Sequence, residues 1–81
     1  MEIHLSGLTP SRMVHFVIDN GEHRPAVITK VHTREGVVNL TVFAAETTDF
    51  ENGTPLFMAF SVLFDNIDKK PGTWHWSERV E

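Results

Sequence analysis

Both tryptophans of the chain lie near its end, in the segment Lys69-Lys70-Pro71-Gly72-Thr73-Trp74-His75-Trp76-Ser77-Glu78. In an extended strand, this two-residue spacing places Trp74 and Trp76 on one face and His75 on the other. Indole rings stack on nucleobases, each stack contributing roughly 1–3 kcal/mol, and the neighbouring lysines attract anions. The segment therefore predicts a site for a small, planar, anionic ligand. The alternative is that the same indoles close a hydrophobic core.

A second candidate lies in Glu22-His23-Arg24-Pro25, at the start of a predicted strand. The planar guanidinium of Arg24 can hold a phosphate or a carboxylate through two hydrogen bonds. A salt bridge between Arg24 and Glu22 or another carboxylate is the alternative. The predicted ligand-binding residues are His23, Arg24, Lys69, Lys70, Trp74, His75 and Trp76.

The motifs of enzymes and of metal sites are absent from the sequence. It has no cysteine, no Gly-x-Ser-x-Gly and no glycine loop that would cradle a phosphate. Its five histidines, at positions 4, 15, 23, 32 and 75, form no i, i+4 pair of the kind that binds zinc. We therefore predict a non-enzymatic protein with no catalytic residues, metal ligands or cofactor, and leave open a metal site that only the fold assembles.

The composition indicates one small soluble domain. The 81 residues are 41% hydrophobic and carry a formal net charge of −4, which argues against binding to long nucleic acids. The longest apolar run, about ten residues, is too short to span a membrane, and no secretory signal is visible. We expect the protein to act in the cytoplasm of the cell that makes it. Because a domain this small has no disulfide to stabilise it, self-association is expected.

Turn signals divide the chain into five predicted strands. These cover residues 13–18, 25–33, 37–44, 56–65 and 73–76, while 10–16 and 44–50 are weak helix candidates. The expected fold is mainly β, a small antiparallel β-barrel or strongly bent sheet of about five strands. It is a single domain over residues 1–81, in which 1–12 form a less regular N-terminal arm.

The second and third strands allow a prediction of register. If Glu35-Gly36 is a two-residue hairpin loop, Val31 pairs with Leu40 and one face becomes almost wholly apolar. That face, predicted to lie inside, comprises Val27, Thr29, Val31, Val38, Leu40 and Val42.

The fourth strand is apolar on both alternating faces. Strands of this kind are usually buried on both sides, so one face requires a covering element or a second copy of the chain. We predict a homo-oligomer, a dimer or larger, that uses the face formed by Phe57, Ala59, Ser61 and Leu63.

Three segments together resemble a family of small proteins encoded by bacteriophages and prophages. They are Arg24-Pro25-Ala26-Val27-Ile28-Thr29, Val38-Asn39-Leu40-Thr41-Val42-Phe43 and the closing Pro71-Gly72-Thr73-Trp74-His75-Trp76. The resemblance covers roughly residues 13 to 79, and its specific part is the closing motif, where members usually have proline in place of Ser77. It implies a phage origin and a compact β-fold, and it carries over no catalytic residue.

Two functional hypotheses follow from these features. The first is a phage-encoded, non-enzymatic binding protein, a counter-defence protein that sequesters a nucleotide-derived signal. The second is a structural or adaptor component of the virion, or an inhibitor of a host protein, that acts through the apolar fourth strand. Both hypotheses depend on the predicted fold and on the phage setting that the resemblance implies.

Overall fold

In the computed structural model, which describes residues 7–77, the chain forms a closed barrel of five β-strands. The strands are β1 (Met13–Val17), β2 (His23–Val31), β3 (Val38–Phe43), β4 (Leu56–Phe64) and β5 (Thr73–Trp76), with one 3-10 turn at Glu51–Gly53. The fold is mainly β, as the sequence predicts. Neither weak helix candidate forms a helix: residues 13–16 belong to β1, and 44–50 form an irregular loop.

The barrel closes through one short parallel contact. β1 pairs antiparallel with β2 and β5, and β3 pairs antiparallel with β2 and β4. β4 and β5 are parallel and share only two residue pairs, Leu63 with Thr73 and Phe64 with Trp74. Most of β4 is therefore paired along one edge only, within the described part of the chain.

The core follows the alternation of the strands, since the inward-facing residues are apolar except for Arg24, at the start of β2. Trp74 is its largest fully buried side chain. The other members of this buried cluster are Val14, Phe16, Ile18, Ala26, Ile28, Val38, Leu40, Val42, Ala59 and Val62.

The predicted inner face of β3 is confirmed, but the predicted register with β2 is wrong. Leu40 pairs with Ile28 rather than with Val31, and Val31 pairs with Val38. Ala26 and Ile28 therefore face the core, while Thr29 is exposed. The β2–β3 connection spans residues 32–37 and is longer than the predicted two-residue loop, so Val31 pairs with Val38. A register shift between Ile28 and Lys30 then reverses the alternation of β2, so that Ile28 rather than Thr29 faces the core.

A second irregularity divides the faces of β4. Ser61 has a positive φ of 52°, and the pairing with β3 shifts between Val38 and Leu40. An extra residue at such a bulge reverses the alternation. Ala59 and Val62, three residues apart, therefore both face the core.

The predicted interface residues consequently do not share one exposed face. Ala59 is buried, Phe57 points inward at the rim of the barrel beside the rings of Phe16 and Phe50, and Leu63 is exposed. The exposed outer face of β4, called here the β4 patch, is formed instead by Leu56, Met58, Phe60 and Leu63.

The predicted N-terminal arm is only partly described. Residues 7–12 contain no strand, but Ser11 donates its backbone N–H to Ile28 and Arg12 accepts one from Ile28. Residues 1–6, with His4, and residues 78–81, with Glu78 of the closing motif, lie outside the described residues.

Candidate functional site

Three histidines meet on the outer face of the barrel, and we call them the histidine cluster: His15, His23 and His75. They belong to β1, β2 and β5, and β1 lies between the other two strands. His15 lies directly opposite His75 in the β1–β5 pairing. It lies diagonally from His23, because His15 pairs with Pro25, two residues further along β2.

The rings of the histidine cluster are in mutual contact. Ring centroids are 4.5 Å apart for His23 and His75, 5.5 Å for His15 and His75, and 6.0 Å for His15 and His23. One ring nitrogen of each lies within 4.8 Å of the corresponding nitrogens of the other two. Three imidazole nitrogens so close together are able to bind one metal ion.

The cluster is more buried than its outward direction suggests. His75 is fully buried, His15 and His23 are half-buried, and the Nδ1 atoms of His15 and His75 are shielded from solvent. The neighbouring outward side chain of Val17 is also fully buried. The cluster is therefore largely shielded from water, so ligand bonds there would compete less with water than on an open surface.

The predicted ligand-binding residues include His23 and His75 but not His15. Strand alternation indicates only that the His75 side chain lies on the opposite face from Trp74 and Trp76. Recognising the cluster requires knowing that β1 pairs with both β2 and β5, which no local spacing reveals.

Arg24 forms a buried ion pair, so the salt-bridge alternative describes it. Its Nε donates to Asp49 Oδ2 at 2.7 Å and its Nη2 to Asp49 Oδ1 at 2.9 Å, in a two-point contact. Nη2 also donates to Glu22 Oε1 at 2.7 Å. Its Nη1 donates to the backbone oxygen of His23 at 3.0 Å. The guanidinium is thus committed to protein acceptors.

The same contacts shift the pKa values of the partners. The hydrogen bond from Arg24 holds the pKa of Asp49 well below its ordinary value, and the backbone N–H groups of Ala45 and Glu46 add to this effect. Arg24 likewise lowers the pKa of Glu22, with help from Asn20, and its own pKa is raised by Asp49 and then by Glu22. Asp49 therefore anchors the 44–50 loop to the barrel.

Trp74 lies in the core, which agrees with the alternative prediction that the indoles close a hydrophobic core. Its side chain is fully buried, and its indole Nε1 donates to the backbone oxygen of Gly36 at 2.6 Å. Trp76 is half-buried and packs edge-on against Trp74, with the guanidinium of Arg12 5.2 Å from its ring centre. One face of Trp76 is thus covered by a cation of the chain itself.

The two lysines lie in the turn between β4 and β5. Lys70 is mostly exposed, and its Nζ is 3.9 Å from Asp68. The turn is organised by Asp65, which accepts backbone hydrogen bonds from Ile67, Asp68 and Lys70. Burial raises the pKa of Asp65, but the backbone donors, led by Asp68, lower it further than burial raises it.

A separate cleft of about 490 Å³ opens beside the 44–54 segment. Its lining combines three phenylalanine rings with the carboxylates of Asp19, Glu51 and Asp49, the last of which is paired with Arg24. None of the seven predicted ligand-binding residues lines it. Its lining is Phe16, Ile18, Asp19, Asp49, Phe50, Glu51, Asn52, Thr54 and Phe57.

Comparisons with known proteins add no relative: no family model matches the chain, and no curated protein or solved structure matches it significantly. Over residues 7–77, no helix has the length and apolar character needed to cross a membrane.

Proposed function

We propose that the protein is a non-enzymatic assembly module that acts as a homo-oligomer joined through β4. The observation that carries the proposal is the β4 patch. Leu56, Met58, Phe60 and Leu63 are 49%, 58%, 64% and 59% exposed on one strand.

The size of the patch favours a second copy of the chain as its partner. Four such side chains expose an area on the order of 500 Å², near the upper end of what monomers tolerate. Two copies that cover each other's patch would bury on the order of 1,000 Å², about the least that a specific interface needs.

The backbone of β4 supports the same partner. Within residues 7–77, β3 pairs with one edge from Leu56 to Val62, whereas β5 reaches the other edge at Leu63 and Phe64 alone. Isolated edge strands usually carry charged residues that prevent pairing, but no residue from 56 to 64 is charged. The edge beside the patch therefore carries no charge that would prevent a second copy from packing face to face on it across a two-fold axis.

Such a module agrees with the second sequence-based hypothesis, a virion component or adaptor that acts through an apolar surface. The phage origin that the resemblance implies would place such a module in the virion or in the host cytoplasm. Nucleotide sequestration stays a prediction that these contacts do not favour, because Arg24 is bound to Asp49 and Trp74 to Gly36.

Sedimentation velocity at micromolar concentrations tests the proposal. The wild-type protein is expected to sediment as one discrete oligomer, most simply a dimer. Phe60→Glu places a charge in the middle of the patch and should give a folded monomer. Ile67→Glu is the matched control, because Ile67 is 92% exposed in the turn after β4 and should leave the oligomer intact.

Circular dichroism of each variant separates dissociation from unfolding. A monomeric wild-type protein, or a polydisperse aggregate without a discrete species, would refute the assembly proposal. Dissociation by Ile67→Glu to the same extent as by Phe60→Glu would show that general surface charge, and not the patch, controls association.

A further inference from the structure

We propose that the histidine cluster is a binding site for a divalent transition-metal ion, with Zn²⁺ as the best match. His15, His23 and His75 would each supply one imidazole nitrogen, from three adjacent strands. The site lies on β1, β2 and β5, so it does not depend on assembly through β4.

The spacing of the nitrogens is close to what a metal requires. A tetrahedral Zn²⁺ with Zn–N bonds of about 2.0–2.1 Å holds its ligand nitrogens roughly 3.4 Å apart. The nitrogens of the cluster already lie within 4.8 Å of one another. The nitrogens would therefore move closer together on binding, through rotation of the half-buried His15 and His23 rings.

The strand pairings hold the three ligands in place before any ion binds. His15 and His75 are direct cross-strand neighbours, and His23 pairs with Val17, two residues along β1 from His15. Ligands on paired strands lose little conformational freedom on binding, which favours affinity. Burial also limits the rotation of the His75 ring.

The ligand set determines the class of metal. Imidazole suits Zn²⁺, Cu²⁺, Ni²⁺ and Co²⁺, whereas Mg²⁺ and Ca²⁺ require several oxygen ligands. Among residues 7–77, no carboxylate belongs to the group, and the nearby Glu22 and Asp49 are bound to Arg24. Three protein nitrogens leave a fourth position of the tetrahedron to water.

Packing alone is the competing explanation for this cluster, because the rings of His23 and His75 also make an edge-to-face aromatic contact. The two explanations differ in their response to metal. Packed rings give no defined stoichiometry with Co²⁺, whereas a site gives one ion per chain with a tetrahedral visible spectrum.

The test is a titration of tag-free, chelator-treated protein with Co²⁺, followed by displacement with Zn²⁺. We expect one Co²⁺ per chain, visible absorption typical of tetrahedral coordination, and its loss when Zn²⁺ is added. Zn²⁺ at a hundredfold excess over its dissociation constant should also raise the melting temperature, by roughly 10–20 °C.

Ligand variants assign the site to its residues. His15→Gln and His23→Gln should each weaken binding by more than about a hundredfold, since loss of an outer-sphere partner alone costs ten- to a hundredfold. His32→Gln is the matched control, because His32 is exposed and contacts Asn39 instead. Both ligand variants change half-buried residues, and circular dichroism without metal checks that they fold.

Three results would overturn the inference. They are a wild-type protein with neither the Co²⁺ spectrum nor the melting shift, binding retained in both ligand variants, or equal loss of binding in His32→Gln. The Phe60→Glu variant should bind metal like the wild type, so failure of the assembly proposal and failure of the metal proposal are distinguishable.

Discussion

At the scale of single residues, Arg24 shows how a buried charge restricts the possible functions of its surroundings. A buried guanidinium is tolerated only with paired acceptors, and Arg24 has two carboxylates and a backbone oxygen. Binding an external phosphate would require breaking the contact with Asp49. The residue that best matched anion recognition in the sequence is therefore part of the framework.

The Arg24–Asp49 pair predicts a loss of stability in acid. The pKa of Asp49 is lowered from its ordinary value of 3.8 by the hydrogen bond from Arg24. Below about pH 5 the unfolded chain therefore binds more protons than the folded one, and stability falls as the pH decreases. Denaturation with urea between pH 5 and pH 2 should show this decline.

Asp49→Asn should flatten that decline, because the titrating group is removed. It should also lower stability at pH 7, since Arg24 loses its two-point partner. Asp68→Asn is the control, an exposed carboxylate of the β4–β5 turn, and should keep the wild-type profile. An unchanged slope in Asp49→Asn would show that other carboxylates cause the acid sensitivity.

At the scale of elements, the turn into β5 sets the position of both Trp74 and His75. Gly72 donates its backbone N–H to Val17 at 2.8 Å, which joins the turn to the end of β1. It does so with a positive φ of 84°, a conformation that glycine adopts without the strain of a Cβ atom. The register of β5 against β1 thus begins at this glycine.

Gly72→Ala should destabilise the protein by roughly 1–2 kcal/mol, through the left-handed conformation. No atom lies within 4 Å of the added Cβ, so a steric clash contributes nothing. Equilibrium urea unfolding measures the change, and Lys70→Ala, on an exposed side chain of the same turn, should alter stability by less than about 0.5 kcal/mol. Equal stability of Gly72→Ala and wild type would show that the turn adopts another conformation.

At the scale of the whole molecule, one small core supports two different surfaces. The histidine cluster lies over β1, β2 and β5, and the β4 patch lies where the barrel closes through only two residue pairs. A chain of this size buries only about 60% of its unfolded surface. Covering the β4 patch by association would add apolar burial that the core alone does not provide.

The dependence on this core can be measured at Leu40, which is fully buried between Ile28 and Ala59. Leu40→Ala should cost about 2–5 kcal/mol, enough to unfold many domains of this size. Thr41→Ala, on the opposite face of β3, is the control and should cost less. A melting temperature unchanged by Leu40→Ala would contradict the assigned inner face.

The β class, the five strands and their approximate bounds were predictable from local patterns in the sequence. Turn residues and alternating apolar patterns are local, so segments such as Leu56–Phe64 and Thr73–Trp76 could be recognised one at a time. The inner face of β3 was also predictable, because Val38, Leu40 and Val42 follow strict alternation.

The strand register, the face on which each side chain lies and the histidine cluster depend on the tertiary structure. The shift near Thr29 and the bulge at Ser61 each reverse an alternation, and neither has a strong local signature. The meeting of His15, His23 and His75 depends on which strands are neighbours, as does the pairing of Arg24 with Asp49, 25 residues away. Long-range pairing arises from closure of the whole barrel, and a pattern read along the chain does not contain it.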